Sequence, residues 1–306
     1  MALDTNLARE TGSVMGFEAK FVDVDGIRTR YYEVGEQNEE VLLLIHGFFF
    51  DHKVSANTWM FNLAGLSERY HVFAPDKMGH GLSDNPKTFD EYTQHHLVQH
   101  MWAFMKKVGA SKAAVFGQSN GAYTAARLAL EHPDACWALI LSDTGTLGPE
   151  VGNMAERRAE LYKDIPTDNP REGLRYRWEQ LGYTKGDVTD EYLDAALYME
   201  STPLSQAMIA DVKNGATEAN RRRFPGDKEE TLRWMGEGRL TMPVLITWGA
   251  NDPSAILPIG HELFELVSKN SDRVQMHIFN HVGHFHFREI PDEWNDVVMT
   301  FLAHSK

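Results

Sequence analysis

The chain has 306 residues, 42% hydrophobic and 24% charged, enough to bury the core of one large domain. Its 44 acidic against 30 basic residues give a formal net charge of −14, which opposes a phosphate backbone and excludes nucleic acid as an expected partner. No stretch approaches the roughly 18 uninterrupted apolar residues of a membrane helix, so no membrane association is expected.

The segment from Met1 to Asn6 has neither a basic n-region nor an apolar h-region. The one cysteine, Cys136, cannot form an internal disulfide, and both features point to a cytoplasmic address. Cys136 heads an apolar run and reads as a small core residue rather than a reactive thiol.

In chain order, residues 17–25 and Ile27–Val34 are β-rich runs joined at Asp25 and Gly26, a hairpin signal. Val41–Ile45 is continuously apolar, as in a strand covered on both faces. Similar runs recur at His71–Pro75, 113–116, 138–141, 244–248 and Val274–Phe279. Helical spacing fills the gaps at 58–68, 92–108, 121–131, 258–268 and 292–304. Alternation of this kind predicts an α/β fold, a mostly parallel eight-stranded sheet with helices on both faces. From 148 to 240 the strands stop, and the composition becomes helical and charged, with Pro166, Pro170, Pro203 and Pro225 as breaks. That stretch is predicted to be an inserted helical lid, leaving 1–147 and 241–306 as the two parts of the core.

The chemistry centres on Gly117, Gln118, Ser119, Asn120 and Gly121, a G-x-S-x-G between a buried strand and a helix rich in Ala and Leu. A serine can project its hydroxyl above a sheet only from a tight turn, and side chains at the two glycines would collide with neighbouring backbone. Serine is a poor nucleophile without a base, and the base needs a carboxylate to orient it. Asp252 follows the run 244–248 in a Gly-x-x-Asp turn and is preferred over Asp143, which ends the run 138–141. His284 follows the last strand and is preferred over His281 and His286, because Gly283 lets its loop approach the other catalytic strands. The last two read as partly exposed loop histidines.

An oxyanion needs two backbone donors. Asn120 supplies one, and Phe48, after Ile45, His46 and Gly47, supplies the other. Gly47, Phe49, Phe50, Trp59 and Phe285 are expected to line a site for a planar apolar substrate. His95, His96 and His100 have a zinc-like i, i+4 spacing but no third ligand, and read as a solvated helix face. The stretch 76–83, rich in glycine, reads as a strand-to-helix connection on the site floor, and Arg221, Arg222 and Arg223 as solvated lid surface.

With Ile45-His46-Gly47, the run 74–83, the elbow at Ser119, Trp248 to Asp252, and Gly283-His284 in place, the chain resembles the α/β-hydrolase superfamily along nearly its whole length. Residues 139–149 and 245–249 are similar to those of meta-cleavage product hydrolases, which split carbon–carbon bonds in ring-opened aromatic catabolites. That resemblance implies a cofactor-independent serine hydrolase of aromatic catabolism, with a small molecule as partner and self-association left open. It also implies that His284 assists a dienol-to-ketone shift before Ser119 or an activated water attacks the keto carbon. Three departures stand out: bulky Phe48, Phe49 and Phe50 in an oxyanion loop that is glycine-rich in the family, Phe285 in place of a tryptophan, and Ala196 at the family's lid arginine. Arg175, Arg177 or Arg221 could reach a substrate carboxylate instead, or the substrate lacks one. Ester or lactone hydrolysis is one alternative. A cofactor-free oxygenase or lyase, and a ligand receptor on the same scaffold, are others.

Overall fold

A computed structural model describes residues 11–306; the leader reading of Met1 to Asn6 falls outside them. Eight strands form one sheet: β1 Ala19–Val24, β2 Ile27–Val34, β3 Val41–Ile45, β4 His71–Pro75, β5 Ala113–Gln118, β6 Cys136–Ser142, β7 Val244–Gly249 and β8 Val274–Phe279. Their spatial order is β1-β2-β4-β3-β5-β6-β7-β8. β2 pairs antiparallel with both β1 and β4, and every later pairing is parallel. The expected α/β class and sheet are what the chain adopts. Val24 faces Ile27 across the first turn, so Asp25 and Gly26, at φ 54° and 81°, form the two-residue hairpin loop that right-twisted strands favour.

The helices are α1 Leu63–Ser67, α2 Gln94–Lys107, α3 Asn120–Glu131, α4 Met154–Leu161, α5 Pro170–Glu179, α6 Asp190–Ser201, α7 Pro203–Lys213, α8 Glu218–Gly236, α9 Leu257–Ser268, α10 His286–Glu289 and α11 Pro291–Ala303. Strand side chains alternate between two cores. Leu43, Ile45, Val115 and Leu139 meet α2, α3 and α9 on one face, while Leu42, Leu44, Phe116 and Ile140 meet Trp59, α1 and α11 on the other. The helix expected over 58–68 is split into a turn of 3-10 helix at Ala56–Trp59 and the short α1. Asn62 at the break donates its amide to Phe287 O and Asn295 Oδ1, so tertiary hydrogen bonds override a weak local helix tendency.

Between β6 and β7 the described chain is helical, from α4 to α8. Pro170 and Pro203 are first residues of helices, where a missing N–H costs nothing. Pro225, expected as a break, lies inside α8 instead. Contacts hold the helix on both sides of it: Phe224 packs on Tyr123, and Arg127 of α3 bonds Glu230 and Thr231. Among the described residues no helix is long and apolar enough to cross a membrane.

β4 and β5 flank β3 on opposite sides, so chain direction across the sheet reverses there, and the crevice beyond the strand ends is where α/β sheets bind ligands. The loops after β3, β4 and β5 meet at that point. A buried ion pair anchors them. Asp76, after β4, contacts Arg30 Nη1 at 3.2 Å and accepts from Ala56 N at 2.6 Å and Leu82 N at 3.1 Å. Arg30 also donates to Tyr32, Asn57 and the carbonyls of Thr11 and Gly12. Removing one partner of such a pair strands the other charge in the interior, so Asp76→Asn is expected to lower the unfolding free energy by about 3 kcal/mol in urea denaturation. A change under about 1 kcal/mol would contradict that anchoring role.

Candidate active site

β5 is buried throughout, and the chain turns from it into α3 at Ser119, with φ 54° and ψ −118°. A non-glycine residue held there stores about 1–3 kcal/mol of strain. The flanking glycines permit the bend: a Cβ on Gly117 would lie 2.2 Å from Gly121 O, and one on Gly121 2.2 Å from Ile45 O. Any side chain at either position would push β3, β5 and α3 apart.

Asp252 sits in the turn after β7. Its Oδ1 accepts from Ser254 N at 2.7 Å and Ala255 N at 2.9 Å, which leaves Oδ2 to bond His284 Nδ1 at 2.6 Å. A carboxylate only accepts, so His284 donates from Nδ1 and keeps Nε2 as its acceptor. The histidine backbone is pinned as well, by His284 N donating to Leu181 O at 2.8 Å and by Gln118 Nε2 donating to His284 O at 3.2 Å. Gly283 is required for this approach, because a Cβ there would lie 2.4 Å from Leu181 O. No hydrogen bond joins Ser119 Oγ to His284 among the described residues, although both line one cavity. Such contacts commonly tighten only when substrate binds.

The rival carboxylate and histidine find each other. His286 Nδ1 and Asp143 Oδ2 form a second buried pair, close but not aligned as a hydrogen bond, and Asp143 Oδ1 accepts from Gly249 N at 3.0 Å. His286 is therefore fully buried rather than a partly exposed loop residue, because its ring lies across β6 and β7, bonding Ser142 and Thr247. His281 is exposed and stacks on Tyr183.

Electrostatics separate the two pairs. Burial works against a charged ring at His284, but the Asp252 carboxylate outweighs it, with Asp143 adding, and the imidazole is held above its ordinary pKa. Burial pushes His286 down to about 3. Burial, then the charge of Asp252, pushes Asp143 well above the carboxylate range, which opposes charge on the second pair. Cys136 is a buried thiol pushed up to about 12.

The cavity above Ser119 has a volume of about 360 Å³ and is lined by Phe48, Phe49, Phe50, Asp51, Ser119, Asn120, Ser254 and His284, with Thr146, Arg158, Tyr162, Arg177 and Leu181 from the segment between β6 and β7. A groove of about 730 Å³ near Lys112, Trp137 and Arg273 is larger, but it opens at the N-terminal ends of the strands and is not lined by a histidine. The backbone N–H groups of Phe48 and Asn120 donate to no group among the described residues, which leaves both available to a bound oxygen. Gly47 lies against the elbow, where a Cβ would come 3.1 Å from Ser119 Cβ.

Trp59 and Phe285 do not line the cavity. Trp59 is fully buried against Phe116 and Phe287, and Phe285 packs on Phe287 and under the Arg288 guanidinium, so both rings face the core beneath the site. His100 is likewise no solvated residue; it is buried and bonds Thr29 Oγ1 and Met78 N. Ala196 packs in a helical cluster with Trp178 and Tyr192. Arg175 pairs with Asp190 and Arg221 with Glu218 at the surface. Arg177 reaches the cavity, 3.4 Å from Asp51 Oδ2 and over the Phe48 ring. Arg158, which sequence reasoning missed, reaches it too and makes no ion pair among the described residues. Its only sequence signal is a one-turn spacing from Tyr162.

Because Asp252 is the main group that keeps the His284 proton against burial, Asp252→Asn is expected to drop the imidazole pKa below its ordinary value. Histidine NMR titration of the two proteins checks this, and an unchanged pKa would contradict it.

The model of the alpha/beta hydrolase fold family matches residues 40–289. A 2-hydroxy-6-oxo-6-(2'-aminophenyl)hexa-2,4-dienoic acid hydrolase of Metapseudomonas resinovorans is 25% identical over 304 residues, 95% of this chain and 93% of that protein. The acetyltransferase component of the acetoin cleaving system of Cupriavidus necator is 28% identical, covering 93% of this chain and 69% of that one. Among solved structures, a meta-cleavage product hydrolase from Pseudomonas fluorescens superposes with a TM-score of 0.73 at 23% identity, over 94% of this chain and 98% of that one. With the sheet order and the strained serine turn already described, these matches place the chain in the α/β-hydrolase fold family.

Proposed function

We propose that the protein is a serine-dependent hydrolase of small, aromatic-derived acids, acting on a carbon–carbon bond of a meta-cleavage-type ring-opened product. The observation that carries this reading is the convergence of Ser119, His284, two free backbone donors and two arginines on one cavity of about 360 Å³. In it, His284 Nε2 takes the Ser119 proton, Asp252 steadies the resulting imidazolium, and the Phe48 and Asn120 N–H groups receive the carbonyl oxygen as it becomes an oxyanion. As the oxyanion collapses the carbon–carbon bond breaks and the leaving carbon takes the proton from the His284 imidazolium; the serine-bound acyl group is then released by water that the neutral His284 deprotonates. Before attack, the same ring is suited to move the dienol proton, as the resemblance to meta-cleavage product hydrolases implies.

The phenylalanines supply an apolar wall for the aromatic-derived part, and Arg158 and Arg177 supply positive charge for a carboxylate. Helices α4 and α5, which carry these arginines, would then serve as the lid. Ester or lactone cleavage is the second reading, favoured by the bulk of Phe48 and Phe49 where the carbon–carbon hydrolases have glycines.

The test is a spectrophotometric panel of ring-opened dienoates, aryl esters and lactones, run with an oxygen electrode. Dienoate decay without oxygen uptake is expected, and Ser119→Ala should lose more than about 10³-fold in kcat. Oxygen consumption, or a Ser119→Ala variant of near wild-type rate, would remove the proposal. Arg158→Met should raise KM for carboxylate substrates by about tenfold while leaving a neutral aryl ester within about twofold, since a charged hydrogen bond contributes roughly 1.5–3 kcal/mol. Equal effects on both substrates would argue against a carboxylate partner.

The pH dependence follows from His284. The base acts when neutral, so kcat/KM should rise with pH through an apparent pKa above the ordinary imidazole value of 6.5, because the folded-state shift is upward. An acid limb centred below 6.5 would contradict the assignment.

A further inference from the structure

Lys77 is the one lysine buried outright among the described residues. No carboxylate pairs with it, so nothing electrostatic offsets its removal from water. Its hydrogen bonds explain its place. Nζ donates to Phe48 O at 2.7 Å and to Asn120 Oδ1 at 2.9 Å, which ties together the two residues read as oxyanion donors. Its backbone N–H donates to His46 Nε2 at 3.1 Å. That bond makes Nε2 the acceptor, so His46 carries its proton on Nδ1 and donates it to Gly47 O at 3.0 Å.

The peptide unit is planar and trans, so the Gly47 carbonyl and the Phe48 N–H point in opposite directions from one rigid plane. Holding the carbonyl from below aims the N–H. The next plane is held through the Phe48 carbonyl by Lys77 itself, and between the two planes Phe48 sits at φ 61°, a left-handed conformation that a bulky residue seldom keeps unaided. Burial pushes the Lys77 amine well below its ordinary value, and an uncharged amine still has two N–H donors for its two acceptors.

We propose that Lys77 is the positioning residue of the oxyanion site, clamping the loop after β3 to the elbow after β5 so that the Phe48 and Asn120 N–H groups converge on one oxygen. The inference rests on the serine-hydrolase reading above and adds the group that aligns its donors. It predicts a loss confined to the tetrahedral state.

The experiment measures p-nitrophenyl acetate turnover and inhibition by an aryl trifluoromethyl ketone, which forms a tetrahedral anion on a reactive serine. Lys77→Met keeps the length and removes the donors. It is expected to lower kcat by about 10- to 100-fold with KM within about threefold, and to weaken the ketone by the same factor as kcat. A folded Lys77→Met variant whose kcat and ketone inhibition stay within twofold of wild type overturns the proposal. If circular dichroism shows that variant unfolded, Lys77→Gln, whose amide keeps N–H donors, decides: parallel partial losses in kcat and ketone affinity support the clamp, and a kcat loss without weaker inhibition overturns it. Wild-type protein with no ketone inhibition, matched in turnover by Ser119→Ala, would instead defeat the serine reading itself.

Discussion

Two backbone approaches that leave no room for a Cβ govern the site: Gly117 against Gly121 at one end of β5, and Gly121 against the carbonyl of Ile45 at the end of β3. Close-packed strands and α3 force Ser119 into its strained turn, and the strain persists because the core around it is rigid. The same closeness puts the loop after β3 beside the serine, so the Phe48 and Asn120 N–H groups and the Ser119 hydroxyl are set by one constraint. A third close approach, Gly283 against Leu181, brings the histidine loop under the helical segment and couples His284 to the roof of the cavity.

Two histidine–carboxylate pairs lie side by side within this frame, and burial decides how they differ. Asp252 accepts from two backbone donors as well as bonding the imidazole of His284. Asp143 has one backbone donor, and its deeper seat and charged neighbour disfavour its charged form. One pair suits proton transfer. The other braces β6 against β7 beneath it.

Much of this was legible in the residues. Continuous apolar runs gave the strands, because parallel strands covered on both faces need no polar alternation, and Gly-x-Ser-x-Gly, Gly-x-x-Asp and Gly-His carry steric requirements readable without coordinates. Side-chain direction was not legible. Trp59 and Phe285 stand near site residues in sequence but turn into the core, and His286 differs from His284 only in which way a two-residue step points it. Arg158 and Arg177 reach the cavity through the packing of α4 and α5, a tertiary outcome that helical periodicity does not encode. Pro225 stays helical for the same reason: contacts to α3 outweigh a local preference.

The reading turns on whether the Ser119 hydroxyl is chemically activated. Treating the intact protein with a fluorophosphonate and mapping the modified peptide by mass spectrometry addresses this directly. One adduct on Ser119, strongly reduced in a His284→Ala variant, is the result expected; no adduct, or labelling at another residue, would contradict it.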